Sequence, residues 1–265
     1  MTWNAGEVAV QVTLSTSSFF PDTEQAFRAA AEHGYDGVEV MVNHDRRSQT
    51  VEGVQALASA YRVPVKSVHV PCLAITQHVW GFNPEQKLRR SVEMARAVSA
   101  EVVVVHPPFR WQREYGRIFV ELIAEFRGNG GPIVSVENMY AVDALGRRVN
   151  PYLHTDDPSL HAFDALTFDT SHAAAARWDI LDLYELFDGR VAHVHLSDST
   201  GQKGDEHLPP GTGRLPLDAL AARIKKAGYD GHVVLECGFQ RLPESARMPA
   251  SQDSRNYAVA AFGGG

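Results

Sequence analysis

The sequence predicts a single (β/α)₈ barrel over residues 1–265, and three observations carry that prediction. Apolar runs of strand length alternate with helical segments along the whole chain, and eight such runs occur. A chain of 265 residues with 44% hydrophobic residues has the size and core expected of one α/β barrel. The segment after the first strand, LSTSSFFPD, contains no glycine, which argues against an open dinucleotide-binding sheet.

The first half of the chain predicts four strands and the helices between them. Asp22 is the expected N-cap of the first helix, and Gly34 is its expected C′ residue. Pro84 occupies a first-turn position of a later helix that carries apolar residues at helical spacing. The predicted segments are strand 8–14, helix 26–34, strand 37–42, helix 51–61, strand 63–70, helix 84–100 and strand 101–106.

The second half repeats this alternation with longer connections. The polar stretch 138–158 is too long for an ordinary connection, and long loops of this kind commonly cover a functional site. The predicted segments are helix 116–126, strand 132–137, strand 165–169, helix 179–187, strand 191–196, helix 217–229, strand 232–236 and helix 251–262, with a frayed tail at 263–265.

Composition restricts the environment and the partners. A net charge of −7 and a pI near 5.9 argue against general affinity for nucleic acids. No apolar run approaches the ~20 residues that cross a bilayer, and no signal-peptide pattern opens the chain. Two cysteines indicate a reduced, cytoplasmic protein. The sequence gives no indication of the oligomeric state.

Metal-ligating side chains end six of the predicted strands. The C-terminal ends of the strands meet at one mouth of a parallel barrel, so these side chains are expected to converge. Converging carboxylates are costly to bury without a cation, and imidazole and carboxylate groups suit borderline divalent metals. The six residues are His69, His106, Glu137, Asp169, His195 and Glu236.

These segments resemble the xylose isomerase-like TIM barrels, a superfamily of sugar isomerases and epimerases that also includes the endonuclease IV type of apurinic endonuclease. The resemblance extends from the second strand to the eighth. It implies a divalent metal, zinc or manganese, with one to three ions. The segments that carry the resemblance are VHVP, VVVHPP, VEN, FDTSH, HVHLSD, DEHLPPGTG and LECG.

Two sets of ligands follow from this resemblance. The sugar epimerases hold one ion through residues that match Glu137, Asp169, His195 and Glu236. Endonuclease IV holds three zinc ions and adds residues that match His69, His106, His172, Asp205 and His207. All nine positions are filled in this chain, which keeps a multinuclear centre among the alternatives.

The favoured function is a metal-dependent isomerase or epimerase of a sugar or sugar-phosphate-like ketose. In that reaction Glu137 and Glu236 exchange a proton with the substrate through a metal-stabilised enediolate. The first alternative is a phosphodiester hydrolase with a trinuclear zinc site. The loop CLAITQHVWGFN and the net charge argue against it, because a DNA-binding surface needs cations. A barrel that binds metal or carbohydrate without catalysis is the other alternative.

The substrate is expected to be a small carbohydrate. An aromatic side chain can stack on a sugar ring, and a cation can pair with a phosphate. The candidate substrate-binding residues are Arg110, Trp111 and Lys203. The segment 109–113 is equally consistent with a helix start that packs on its neighbour.

Overall fold

Eight parallel strands close into a barrel surrounded by helices, which confirms the predicted fold class. The computed structural model describes residues 10–128, 130–144, 146–153, 163–187 and 189–263. The strands are β1 (Gln11–Ser15), β2 (Gly37–Met41), β3 (Val65–His69), β4 (Val102–Val105), β5 (Ile133–Glu137), β6 (Val142–Ala144), β7 (Arg147–Val149), β8 (Leu166–Asp169), β9 (Val191–Leu196) and β10 (His232–Leu235). Around the barrel their order is β1-β2-β3-β4-β5-β8-β9-β10, and β10 pairs with β1 to close it.

Helices follow the barrel strands at the positions that the sequence predicts. The side chain of Asp22 caps the first of them by accepting a hydrogen bond from the Gln25 amide at 3.2 Å, and Gly34 ends it in the left-handed conformation. The helices are α1 (Thr23–His33), α2 (Val51–Tyr61), α3 (Pro84–Ala97), α4 (Arg113–Glu125), α5 (Thr170–Ala175), α6 (Ile180–Leu186), α7 (Leu217–Lys226) and α8 (Glu244–Phe262).

Three elements differ from the sequence prediction. The polar stretch contains an antiparallel hairpin of β6 and β7. Helix α5 starts directly after β8, because Asp169 ends the strand and caps the helix. Helix α8 begins seven residues before position 251 and contains Pro249 at its sixth position, where the proline ring cannot donate a backbone hydrogen bond. Positions 8–9, 154–158 and 264–265 of the predicted elements lie outside the described residues.

The barrel interior is polar below four of the six strand-end ligands and apolar below the other two, where it contains Val104 and Val234. Side chains on a strand alternate between two faces, so the residue two positions before each ligand points inward as well. These residues are buried in a layer that includes Ser67, Ser135, Thr167 and His193. The apolar core lies instead between the outward face of the strands and the helices, with Phe27, Phe119 and Phe168 fully buried.

Two further findings concern the whole barrel. In the described part of the chain, no helix is both long and apolar enough to cross a membrane. Both cysteines, Cys72 and Cys237, are free thiols.

Candidate metal centre

Glu137 lies at the centre of the group of ligating side chains, at the C-terminal end of β5. Its Oε2 atom is 3.2 Å from His69 Nε2 and 2.9 Å from His106 Nε2. Its Oε1 atom is 3.0 Å from His195 Nδ1 and 3.3 Å from His172 Nδ1. Burial opposes ionisation of this carboxyl, but the neighbouring imidazoles, His195 first, hold its pKa well below its usual range.

Three carboxylates approach the same nitrogen of His195, which lies at the end of β9. Besides Glu137, Glu236 Oε2 is 2.8 Å from His195 Nδ1, and Asp169 Oδ2 is 3.6 Å away. One ligand atom from each of these four residues falls within 4.8 Å of the others, and all four residues are buried. Burial raises the pKa of Glu236, but the charge of His195 more than offsets this and lowers it to about 2.

Asp169 provides the test of whether a cation fits here. Its Oδ1 atom accepts a hydrogen bond from the His172 amide at 2.7 Å. The Asn138 side chain donates a hydrogen bond to the Asp169 carbonyl and accepts one from the Asp169 amide. Its Oδ2 atom is fully buried and has no hydrogen-bond partner in the structure. An unsatisfied buried carboxylate oxygen is costly, and a divalent ion among these four ligands would satisfy it. The residues present therefore fit a metal ion.

Asp205 and His207 form a second group of donors beside the first. Asp205 Oδ2 is 2.9 Å from His207 Nε2 and 3.6 Å from His172 Nε2. The Ser171 hydroxyl donates a 2.6 Å hydrogen bond to the other oxygen of Asp205. Ligand atoms of Asp169, His172 and His207 also lie within 4.8 Å of one another, so Asp169 belongs to both groups. The geometry has donors for more than one ion.

The loop that carries Asp205 and His207 is anchored by the buried carboxylate of Asp198. Its Oδ1 atom accepts hydrogen bonds from the amides of Ser199 at 2.8 Å and Leu215 at 3.1 Å. Its Oδ2 atom accepts from the amides of Gly211 at 3.0 Å and Gly213 at 2.9 Å. Both ends of the loop are thereby fixed to a single side chain.

Within this loop, the middle residue of the sequence DEH is directed away from the site. Glu206 accepts hydrogen bonds from the Ser199 hydroxyl at 2.8 Å and the Thr200 amide at 2.7 Å. His207 has φ of +46°, a strained value for a residue with a side chain. Its Nδ1 atom is 2.8 Å from the carbonyl oxygen of Glu236. These contacts hold Asp205 and His207 towards the centre.

Backbone carbonyls set the orientation of three candidate histidine ligands. A carbonyl oxygen only accepts hydrogen bonds, so the Nδ1 atom that faces it carries the proton and Nε2 keeps the lone pair for a metal. These Nδ1 contacts run from His69 to Val70 at 3.0 Å, from His172 to Asn138 at 2.9 Å and from His207 to Glu236 at 2.8 Å.

A cavity of about 210 Å³ opens above the centre. It is smaller than the roughly 300–1,000 Å³ of sites for drug-sized ligands, so it suits a ligand of monosaccharide size. Beside the metal-ligating residues, its walls include Phe20, Leu73, Ile75, Tyr140, Tyr152 and Arg241. Aromatic and aliphatic groups thus face the site, and Arg241 is the one lysine or arginine side chain among the described lining residues.

The structure brings all nine predicted metal ligands together at one mouth of the barrel. The three predicted substrate-binding residues are not among those that line the cavity. Arg110 Nε donates a hydrogen bond to the Asn150 carbonyl at 2.9 Å, and Trp111 stacks on Phe109 with 4.3 Å between ring centroids. Lys203 is exposed on the loop. Their contact with a substrate stays a prediction.

Sequence reasoning missed two residues that contact the ligands. Glu39 on β2 is fully buried and lies 3.1 Å from His195 Nε2. The Ser17 hydroxyl donates a 2.8 Å hydrogen bond to Glu236 Oε1. A signal for Glu39 was present, because a carboxylate inside the apolar run GVEVM is unusual. Nothing in the serine-rich segment STSS distinguishes Ser17 from its neighbours.

Fold and site together define a class: a (β/α)₈ barrel with a buried group of carboxylates and imidazoles at its C-terminal mouth. The family model described as xylose isomerase-like TIM barrel matches residues 27–256. The chain belongs to this family, as the resemblance of its motifs implied.

Two relatives of known sequence show the range of similarity. An uncharacterized protein of Mycobacterium leprae (strain TN) is 40% identical over 247 residues, which are 86% of this chain and 88% of the relative. The fructoselysine 3-epimerase of Shigella flexneri is 24% identical over 246 residues, covering 80% of this chain and 84% of that enzyme. Epimerases are therefore among the relatives of this protein.

Similar solved structures share the fold at low identity. A D-tagatose 3-epimerase-like protein superposes with a TM-score of 0.68 at 22% identity, over 95% of this chain and 98% of that one. An AP endonuclease, family 2, from Brucella melitensis has a TM-score of 0.70 at 18% identity, over 96% and 99%. The IOLI protein with a bound zinc atom has a TM-score of 0.69 at 15% identity, over 96% and 99%.

Proposed function

We propose that the protein is a divalent-metal-dependent isomerase or epimerase of a small sugar or sugar phosphate. The reaction would transfer a proton at the carbon beside a carbonyl group. One observation carries this proposal: Glu137 and Glu236 both border the cavity and approach His195 Nδ1 at 3.0 and 2.8 Å. Two carboxylates at one small cavity can serve as the general base and the general acid that such a proton transfer requires.

The ion would be held by Glu137, Asp169, His195 and Glu236. When bound, it supplies Lewis-acid polarisation of the substrate carbonyl, and zinc and manganese both suit this donor set. Neighbouring imidazoles hold the pKa of each glutamate low against the effect of burial, so each can act as the base. In an isomerisation, the glutamate that removes the proton becomes protonated and returns that proton to the neighbouring carbon. In an epimerisation, the other glutamate first takes a proton from water and then delivers it to the opposite face of the same carbon, and the first glutamate afterwards releases its proton to water.

The cavity supports a small substrate. Tyr140 and Tyr152 present aromatic surface to it, which suits the apolar face of a sugar ring. Arg241 is the cation in the lining that could pair with a phosphate group of the substrate. The fructoselysine 3-epimerase of Shigella flexneri, a relative over most of the chain, supports a carbohydrate substrate.

The test is proton exchange at carbon. The protein, loaded with Mn²⁺ or Zn²⁺, is incubated with a panel of ketoses and ketose phosphates in D₂O, and deuterium beside the carbonyl is measured by mass spectrometry. Glu137→Gln and Glu236→Gln should each reduce exchange by about 10²- to 10⁴-fold. Metal occupancy is measured in the same samples, because each glutamate is also a candidate ligand.

Glu32→Gln serves as a matched control, since Glu32 is exposed on α1 and forms an ion pair with Arg28 at the surface. It should exchange at the wild-type rate. Absence of exchange over the whole panel, in protein that carries stoichiometric metal, would reject the proposal. It would leave a barrel that binds metal or carbohydrate without turnover, or the hydrolase described next.

Phosphodiester hydrolysis is the second candidate because the site has donors for several ions. His69 and His106 meet Glu137 on one side, while Asp205 and His207 adjoin Asp169 on the other. Such a cluster could activate water and hold a phosphodiester. The apolar cavity wall and the net charge of −7 favour a small carbohydrate over DNA. Cleavage of abasic-site DNA that falls steeply with salt would reverse this ranking.

A further inference from the structure

Glu39 occupies a position where an ionisable side chain is expensive. It lies in the middle of β2, its side chain points into the barrel, and none of its surface is exposed. A buried carboxylate is retained only with partners that compensate its lost hydration. Its Oε2 atom is hydrogen-bonded to His193 Nε2 at 2.9 Å, the Ser67 hydroxyl at 2.8 Å and His195 Nε2 at 3.3 Å, and its Oε1 atom lies 3.1 Å from His195 Nε2.

His195 differs from His69, His172 and His207 in the group that orients its imidazole ring. His69, His172 and His207 each direct Nδ1 to a backbone carbonyl, which leaves Nε2 for an ion. His195 directs Nδ1 at Glu137, Asp169 and Glu236, and its Nε2 atom points down the barrel. No backbone carbonyl serves that Nε2 atom among the hydrogen bonds of the described residues. Glu39 instead faces the Nε2 atom of His195, as a backbone carbonyl faces the Nδ1 atom of each of the other three histidines.

We propose that Glu39 is a positioning residue for the metal centre. Its carboxylate accepts the Nε2–H of His195, which keeps the proton on that nitrogen, fixes the plane of the ring and leaves the Nδ1 lone pair directed at the ion. A carboxylate at this place also increases the donor strength of the imidazole. The inference relies on the proposed function only for the presence of an ion, and not on the reaction.

Two other interpretations of Glu39 must be separated from this one. Glu39, His193 and His195 have ligand atoms within 4.8 Å of one another, so they could hold an ion of their own. Glu39 could alternatively be a structural group whose main partners are Ser67 and His193. The first alternative changes the number of ions bound, and the second changes stability without changing metal affinity.

The experiment measures Zn²⁺ affinity by competition with a chromophoric chelator, in folded protein, for wild type and variants. Glu39→Gln keeps the shape of the side chain and removes its charge, and we expect it to weaken Zn²⁺ binding by about 10- to 100-fold. Ser67→Ala is the matched control, because it removes another hydrogen bond of the same carboxylate and leaves the His195 contact. It should change affinity by less than about threefold, well below that effect.

A second measurement needs no variant. Long-range ¹H–¹⁵N NMR of the Zn²⁺-loaded wild type should find His195 protonated at Nε2 and bound at Nδ1, and the other three histidines protonated at Nδ1. Protonation of His195 at Nδ1 would overturn the proposal. Unchanged Zn²⁺ affinity in Glu39→Gln, together with a lower free energy of unfolding, would also overturn it, in favour of a structural group whose main partners are Ser67 and His193. A lower number of ions with unchanged affinity would overturn it in favour of a separate metal site.

Discussion

The anchor at Asp198 makes a strong prediction for Asp198→Ala. The side chain is 2% exposed and accepts four amide hydrogen bonds of 2.8 to 3.1 Å. Hydrogen bonds to a charged group contribute about 1.5 kcal/mol each at the low end of their range, so the four together contribute about 6 kcal/mol. That is comparable with the whole free energy of unfolding of many proteins, roughly 5–15 kcal/mol.

Part of this loss is recovered because the loop is at the surface and its freed amides can bind water. We therefore expect Asp198→Ala to lower the free energy of unfolding by about 3–6 kcal/mol and to open the loop 199–215. Asp198→Asn keeps one oxygen and should lose about half as much. Gly213→Ala should act in the same direction, since a Cβ there would overlap the Asp198 carboxylate.

The assays are urea denaturation, hydrogen exchange of the loop amides, and the number of Zn²⁺ ions bound. Asp205 and His207 lie on this loop, whereas Glu137 ends β5 and Glu236 directly follows β10. The variant should therefore lose ions beyond the first and keep the first. Asp253→Ala, at an exposed position of α8, is the control for loss of a surface carboxylate. Unchanged loop protection with a stability loss under about 1 kcal/mol would refute the reasoning.

Three further predictions address other parts of the barrel. Asp169→Ala removes a candidate ligand and the cap of α5, so it should lower Zn²⁺ affinity and abolish the Zn²⁺-dependent rise in Tm; an undiminished rise would contradict this. Burial lowers the pKa of His232 from 6.5 to about 4, so the unfolded chain binds the extra proton between these values and stability falls as pH falls through that window. His232→Gln should flatten this dependence in urea titrations, and a wild-type slope would refute it. Phe119→Ala should cost about 3–5 kcal/mol in the same assay, because the ring is fully buried against Tyr115 and Phe163; a loss below about 2 kcal/mol would be inconsistent with that packing.

The barrel and the candidate ligand positions could be predicted from the sequence because each strand end is marked by a short local pattern. An apolar run that stops at His69 or Glu137 marks both a strand and a side chain at the mouth. The parallel topology then brings such ends together without any knowledge of distances. Helix ends with clear caps, such as Asp22 and Gly34, were predictable for the same local reason.

Other features depend on contacts between distant segments. Glu39 on β2 contacts His193 and His195, which lie on β9, and no local sequence pattern pairs residues of these two strands. The hairpin of β6 and β7 lies in a stretch whose polar residues read as loop. Asp169 serves two elements at once, so a strand and a helix meet where sequence patterns expect a connection. The residues that line the cavity come from many separate segments, so local sequence patterns could not predict them either.

The pairing of β1 with β10 has a consequence for the order of assembly. Glu236 follows the last strand, and Ser17, which binds it, follows the first. The Ser18 hydroxyl also joins the two strand ends, through the Leu235 carbonyl at 3.3 Å and the Cys237 amide at 3.0 Å. Glu137, Asp169 and His195 all precede this seam in the chain. If the four residues bind an ion as proposed, the group is complete only when the final strand has joined the barrel, and metal loading would follow synthesis of that strand.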